Sequence, residues 1–409
     1  MRALLRSYWT PAGRRAAGNL AWLGVCLGWT TVCSVGVVFF LTRGLTQESY
    51  GLLSYLISLQ AFILLLAVGT RPVVVREGTR RPEDMDALVA AHVRVSGAIA
   101  AAGGVAALGY LALSGAGWDV IGAGLVLLGG NVLQATQLQP FFDVRHRQAA
   151  AGLCMAAGDT CALGTAFLLW RAERMDLAGA AGCYALRWGV TAALQAWLYH
   201  ARVQPLRWRV ERGLARRLAR ESWPLMVTTG LAGLAVVAAL AILVARAGEA
   251  EAALFAIGVQ VSGLQSQLIA LAVRVVQPHV SGPHGFERSF IVKLSCFFGL
   301  FLAAATGVTA LLGWGFVTWL LPTSYAGALG PMLVLLGAGV CTGTYPLLEV
   351  YLVAKGRTAW SPVAMGAGVV VIVGMLLATA DLDALGVAWA YLAGGATVAL
   401  AEGVFVARR

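Results

Sequence analysis

Apolar runs of about twenty residues recur along this chain from end to end, and they limit its fold more than any other feature. The first run, Leu20 to Leu41, contains no charged residue. An α-helix needs about 20 such residues to cross the hydrocarbon core of a bilayer. The runs are continuous and do not alternate between apolar and polar residues over about ten positions, as a transmembrane β-barrel requires. The sequence therefore predicts an all-α, polytopic membrane protein.

The runs predict about twelve transmembrane helices. Only 12% of the 409 residues are charged, about half the share that is usual in soluble domains. Twelve helices consume about 240 residues, so the remaining loops are too short to form a soluble catalytic domain. The predicted spans are residues 19–42, 50–71, 88–113, 119–140, 149–170, 176–199, 223–245, 252–275, 290–313, 327–353, 361–380 and 384–406.

The basic residues predict the orientation of these spans. If the N-terminus is cytoplasmic, the inner loops and termini carry 23 of the 30 Lys and Arg residues, the outer loops four and the spans three. Cytoplasmic loops are the ones enriched in Lys and Arg, so both termini are expected inside. Basic loops that face anionic lipid heads also explain the net charge of +11, without nucleic acid as a partner.

Charged residues repeat at a fixed offset and predict two halves. Arg43, Glu48 and Arg71 are followed 203 positions later by Arg246, Glu251 and Arg274. Six helices per half give a parallel repeat, as in transporters whose halves enclose a cavity. The predicted parts are an N-terminal six-helix lobe (1–203), a basic cytoplasmic linker (204–221) and a C-terminal six-helix lobe (222–409).

The linker has two open interpretations. Leu206, Val210, Leu214 and Leu218 recur every four residues among arginines, which is typical of an amphipathic helix on the inner membrane surface. A solvated basic loop explains the same composition.

Basic residues inside the spans are candidate ligands for an anionic substrate, since charge in hydrocarbon usually faces a cavity or a partner. Arg94 and Arg274 either line such a cavity or extend to the inner interface. Arg71 lies at the inner end of the second span. Arg187 and Asp159 lie near the middle of the sixth and fifth spans, as a buried pair or as parts of a cavity site.

Acidic and amide residues in the spans are further candidates. Asp159, Glu349 and Glu402 are candidates for a coupling-ion site or for buried pairs. Glu349 follows Pro346, which interrupts its helix, and it either binds a cation or proton there or is solvated at the inner end. Gln134, Gln137 and Gln260 either donate hydrogen bonds to sugar hydroxyls or join neighbouring helices.

No cofactor is predicted. The seven Cys residues lie in apolar segments without a metal-ligand or disulfide pattern. The glycine-rich loop that binds ATP phosphates does not occur in the sequence.

Five short segments, in this order and spacing, carry a resemblance to a known family. They are FFLTRGLTQESYG (39–51), VVRE (74–77), SWPL (222–225), YAGA (325–328) and LGVAWA (385–390). The first contains the outer-turn pattern R-x-L-x-x-x-x-Y-G. Together they resemble Wzx-like bacterial polysaccharide flippases, members of the multidrug/oligosaccharidyl-lipid/polysaccharide exporter superfamily. In the last segment Trp389 replaces a residue that is usually small in that family.

This resemblance implies a transporter rather than an enzyme. Such proteins flip a polyprenyl-pyrophosphate-linked oligosaccharide across the bacterial inner membrane by alternating access, for cell-surface polysaccharides such as O-antigen or exopolysaccharide. The expected partners are this lipid-linked oligosaccharide, membrane lipids and other polysaccharide-assembly membrane proteins. Arg71, Arg94, Arg187 and Arg274 would bind the pyrophosphate, because phosphate oxygens pair well with guanidinium groups.

Two other functions are compatible with the sequence. A drug or cation antiporter of the same superfamily would use acidic residues in its cavity. A membrane glycosyltransferase or polymerase would use a D-x-D pair such as Asp84 and Asp86, although polymerases generally have larger outer loops than this chain.

Overall fold

The computed structural model is helical throughout the residues it describes, which are 11–145, 147–209, 211, 213–280, 288–345 and 360–407. For 271–280, 288–297, 405–407 and most of 11–20 only the backbone is described. A π-helical turn (Phe316–Leu320) and two 3-10 turns (Pro82–Asp84, Thr323–Ala328) join some of the helices. The α-helices are α1 Pro11–Gly44, α2 Gln47–Val68, α3 Arg71–Arg80, α4 Met85–Leu113, α5 Trp118–Ala135, α6 Gln139–Val144, α7 Gln148–Arg171, α8 Leu177–Arg202, α9 Leu214–Ala247, α10 Glu249–Val280, α11 Arg288–Gly315, α12 Leu329–Gly343, α13 Trp360–Ala378 and α14 Ala384–Ala407.

The prediction of a polytopic all-α membrane protein is confirmed. Within the described residues, eleven helical segments are long and apolar enough to cross a membrane. The sixth predicted span corresponds to α8, a helix of 26 residues. It is not among the eleven segments, because Arg187, Gln195 and His200 make it less apolar than they are. The tenth predicted span is described only to residue 345, so Pro346 and Glu349 lie outside the described residues.

The helices form two compact units. The first comprises Met1–Gly44 and Ile63–Met226, and the second comprises Leu45–Phe62 and Val227–Arg409. The chain thus changes unit three times: after Gly44, within α2 and within α9. The lobe boundaries expected at residues 203 and 222 stay a prediction.

Both units have the same order of helix neighbours. In the first unit α8 packs against α5 and α7, and α5 packs against α4. In the second unit α14 packs against α12 and α13, and α12 packs against α11. The matched charges also have matched positions, with Arg43 and Arg246 in the last turns of α1 and α9 and Glu48 and Glu251 in the first turns of α2 and α10. These observations agree with an internal repeat.

The third matched pair differs between the halves. Arg71 begins α3 after an interruption at residues 69–70, whereas Arg274 lies inside the continuous helix α10. Proline at position 72 removes a backbone N–H donor, and the corresponding position 275 is a valine. The helix is therefore interrupted at this position in the first half and continuous at the matching position in the second half.

The linker has two parts, of which the first is not helical and the second is the start of α9. Residues 204–209 and 211 are not helical, and α9 begins only at Leu214. Pro205 lacks an N–H donor, and Gly213 has φ +87°, which favours glycine. Leu214 and Leu218 are buried in the first unit and so do not lie on lipid.

Small residues allow α7 and α8 to pack closely. Cys154, Gly158, Ala162 and Ala166 are buried at four-residue spacing along α7, a pattern that lets membrane helices approach each other. A Cβ atom on Gly158 would lie 2.5 Å from the carbonyl oxygen of Arg187 and 2.2 Å from Thr191 Oγ1. The backbones of the two helices meet at Gly158.

Gly158→Ala is expected to lower the free energy of unfolding by about 1–3 kcal/mol, because the added methyl overpacks a backbone contact. Gly164→Ala is the matched control, since no atom lies within 4 Å of the Cβ position on the same helix. Unfolding of the purified variants in detergent checks both values. Equal stability of the two variants would contradict the close α7–α8 contact.

Candidate functional site

Polar residues predicted in the spans gather at two places in the first unit. One is the ion-pair site, formed by Asp159 and Arg187 on α7 and α8. The other is the double-break site, where two helices are interrupted. The double-break site consists of Thr70, Arg71, His92, Ser96, Gln137 and Gln139.

The ion-pair site joins the two residues that the sequence singled out. Arg187 Nε lies 2.5 Å from Asp159 Oδ1. Asp159 is buried, whereas 28% of the Arg187 side chain is exposed. Only Nε is in this bond, so the guanidinium retains four further N–H donors. The Arg187 guanidinium therefore offsets the charge of the buried Asp159 carboxylate and still presents N–H donors.

The double-break site arises from two similar sequences. Residues 69–70 interrupt the helix between α2 and α3, and residues 136–138 interrupt it between α5 and α6. A proline is the second residue of both short helices, at Pro72 and Pro140. Each proline removes one backbone hydrogen bond and crowds the preceding turn. The breaks thus follow from the sequence.

Arg71 and Gln139, the first residues of α3 and α6, contact each other across these breaks. Arg71 Nη1 donates to Gln139 Oε1 at 3.1 Å, and the two short helices pack together. Gln139 is buried. The amide oxygen of Gln139 is a neutral acceptor, and this bond orients the guanidinium.

His92 was missed by the sequence reasoning. It is fully buried on α4, and its Nδ1 lies 3.3 Å from both Thr70 Oγ1 and Ser96 Oγ. Its Nε2 lies 3.3 Å from the Gln137 carbonyl oxygen. A histidine inside an apolar run was the available signal, because ionisable residues in spans are usually functional or partnered.

The glutamines predicted as sugar ligands have different environments. Gln137 is buried, and Gln134 Oε1 is a buried acceptor without a hydrogen-bond partner among the described residues. In the second unit, Gln260 Nε2 donates to the Tyr50 hydroxyl at 2.7 Å. Gln260 therefore joins α10 to the start of α2, as the interhelical alternative predicted.

The remaining predicted residues are not brought together by the described structure. Arg94 is exposed on α4, and Glu402 is buried on α14. For Arg274 only the backbone is described, inside α10, and Glu349 lies outside the described residues. Within the described residues, no group of three or more His, Cys, Asp and Glu side chains is placed to hold a metal ion.

The Tyr-Gly pair of the outer-turn pattern has a packing role in the second unit. A Cβ atom on Gly51 would lie 2.0 Å from the carbonyl oxygen of Glu249, so only glycine fits there. Tyr50 makes an edge contact with Tyr325, with ring centroids 5.9 Å apart. Tyr325 belongs to another segment of the flippase resemblance, so two of these segments meet in one contact.

The fold is that of transporters of the multidrug/oligosaccharidyl-lipid/polysaccharide (MOP) superfamily, and the chain is a multi-pass membrane protein. It is similar to the lipid II flippase MurJ in an inward closed conformation, with TM-score 0.73 and 9% identity over 94% of this chain and 87% of that one. It is also similar to an inward-facing multidrug resistance MATE transporter, with TM-score 0.67 and 16% identity over 92% and 93%.

A third similar structure is that of a MOP superfamily transporter from Pyrococcus furiosus whose binding pocket is described as having reverse polarity. It matches with TM-score 0.66 and 15% identity over 96% of this chain and 94% of that one. No protein-family model and no curated protein sequence matches the chain. The expected superfamily fold is confirmed. At identities this low, the similarities show a shared fold and nothing more.

Removing one partner of the ion pair is expected to destabilise the protein more than removing both. Asp159→Asn or Arg187→Gln alone should each cost about 1–3 kcal/mol, since each leaves a buried polar group uncompensated. The double variant should cost less than either single variant. Unfolding in detergent measures the cycle, with Arg171→Gln at the exposed end of α7 as control. Additive losses would contradict a coupled pair.

Proposed function

We propose that this protein flips a polyprenyl-pyrophosphate-linked oligosaccharide across a bacterial inner membrane, for synthesis of a cell-surface polysaccharide. The observation that carries the proposal is Arg71, a guanidinium at a helix break at the inner end of a membrane segment, oriented by the amide of Gln139. Ionisable groups in or beside spans usually mark the path or the site of a substrate. A pyrophosphate is a suitable anionic partner.

Two other basic residues are also suited to a substrate with an anionic head group. Arg187 presents donor groups beyond those that bind Asp159, and Arg94 is exposed on α4. The polyprenyl chain can remain in lipid while the charged head and the sugars cross. The similarity to a lipid II flippase supports a lipid-linked substrate, since the two folds match over nearly the whole chain.

Drug or cation antiport is the second candidate, and the similarity to MATE transporters favours it. An antiporter of organic cations needs a carboxylate whose charge is available to the drug. Asp159 is buried and its charge is offset by Arg187. This pairing favours the flippase over the antiporter.

We also propose that both termini are cytoplasmic, because the Lys and Arg residues concentrate in the loops on that side. Green fluorescent protein fused to the C-terminus is expected to fluoresce, since it folds in the cytoplasm and not after export in unfolded form. A dark fusion of normal abundance would contradict the orientation.

Cells lacking this protein are expected to lose lipid-linked glycan from the outer leaflet and to accumulate it inside. Complementation with Arg71→Gln should leave flipping reduced by about tenfold or more, because the loss of a charge-assisted phosphate contact costs more than 1.4 kcal/mol. The measurement is leaflet-resolved labelling of the glycan with an impermeant reagent.

The matched control is Arg174→Gln, which removes an exposed arginine in the loop after α7 and should restore flipping fully. Unchanged outer-leaflet glycan in the deletion strain would refute the proposed function. Increased sensitivity of that strain to cationic drugs, with normal glycan, would instead support antiport.

A further inference from the structure

The contacts of His92 extend beyond its own helix. It lies on α4, yet its ring lies within hydrogen-bond distance of both breaks, Thr70 at one and Gln137 at the other, as well as of Ser96 on its own helix. We propose that His92 is a positioning residue for the substrate site: it holds the α2–α3 and α5–α6 breaks at a fixed separation and so fixes the guanidinium of Arg71. This inference rests on the proposed function, in which Arg71 binds the pyrophosphate.

On the α2–α3 side, His92 acts through Thr70, the residue that immediately precedes Arg71. Thr70 Oγ1 lies 2.9 Å from the Ala67 carbonyl oxygen and 3.1 Å from Ser96 Oγ. Both hydroxyls lie 3.3 Å from His92 Nδ1. All three side chains are buried, so water does not compete for these bonds. The backbone at the break is therefore tied to α4.

On the α5–α6 side, His92 acts through the backbone of Gln137, two residues before Gln139. A carbonyl oxygen only accepts hydrogen bonds, so Nε2 carries the proton and donates to the Gln137 oxygen. Nδ1 then accepts from one of the two hydroxyls, and the other hydroxyl donates its single proton to the Ala67 carbonyl. The edge of the Phe141 ring packs against the imidazole, with centroids 5.7 Å apart, and limits its rotation.

The two tethers together determine the Arg71–Gln139 contact. Thr70 and Gln137 are each within two residues of one partner of that hydrogen bond. A bond of 3.1 Å tolerates little displacement, because hydrogen bonds weaken steeply with distance and angle. If the ring is removed, the two breaks can shift independently, and Arg71 loses its fixed orientation while keeping its charge.

The test is a double-mutant cycle on ligand binding by the full chain in lipid nanodiscs. The probe is undecaprenyl pyrophosphate, and the readout is its Kd. Arg71→Gln and His92→Leu are each expected to weaken binding by about tenfold, and the double variant should bind no more weakly than Arg71→Gln alone, because coupled residues are not additive. His92→Gln retains a donor near the Nε2 position and should restore most of the affinity.

Thermal unfolding of each variant shows that it is folded. If His92→Leu does not fold, Ser96→Ala, which removes only one hydroxyl contact of the ring, is measured in the same cycle and should also be non-additive with Arg71→Gln. A purely structural role would lower stability and leave the Kd of the folded fraction unchanged, and that result overturns the proposal.

The outcomes separate this inference from the proposed function. If the unmodified chain binds the probe and Arg71→Gln weakens it, but His92→Leu has no effect or an additive one, positioning by His92 is wrong and the flippase proposal stands. If the unmodified chain does not bind the probe, both are overturned.

Discussion

Inside a lipid bilayer every backbone N–H and C=O group must find its partner within the protein, and this constraint governs the whole chain. Continuous helices meet it directly, which is why the described spans are helical. Where prolines interrupt a span, side chains must bond the backbone near the break. The interruptions ahead of Pro72 and Pro140 show this, since the Thr70 and Ser96 hydroxyls lie within hydrogen-bond distance of the Ala67 carbonyl and His92 donates to the Gln137 carbonyl. Polar residues accumulate there because the breaks need them, and Arg71 is held in the same place.

Close packing of helices is the second consequence of the lipid environment. Lipid tails are as apolar as the helix surfaces, so association depends on backbone approach and on interhelical hydrogen bonds. Gly158 brings α7 onto α8, and Gly51 brings the start of α2 onto the start of α10. Gln260 and Tyr50 add a hydrogen bond to the latter contact. The outer-turn segment that resembles polysaccharide flippases thus has a physical role as a contact between helices.

Much of this arrangement could be predicted from the sequence, for identifiable reasons. Long apolar runs identify spans because the bilayer imposes their length, and Asp159 and Arg187 stood out because charges are scarce in such runs. Leucine spacing left two interpretations of the linker open, and Pro205 and Gly213 explain why its first part is not helical. His92 was overlooked although a histidine inside an apolar run marks it. Its partners and the Gln260–Tyr50 contact could not be found, because they depend on which helices are neighbours and not on local pattern.

The central claim is that this transporter fold moves a lipid-linked pyrophosphate and that Arg71 serves that anion. The most direct measurement is translocation of a fluorescent polyprenyl-pyrophosphate-linked sugar in proteoliposomes, followed by quenching of the outer-leaflet fraction. The account predicts translocation well above that of protein-free liposomes and a loss of about tenfold or more with Arg71→Gln. Translocation equal to that of protein-free liposomes, or undiminished in Arg71→Gln, would contradict it.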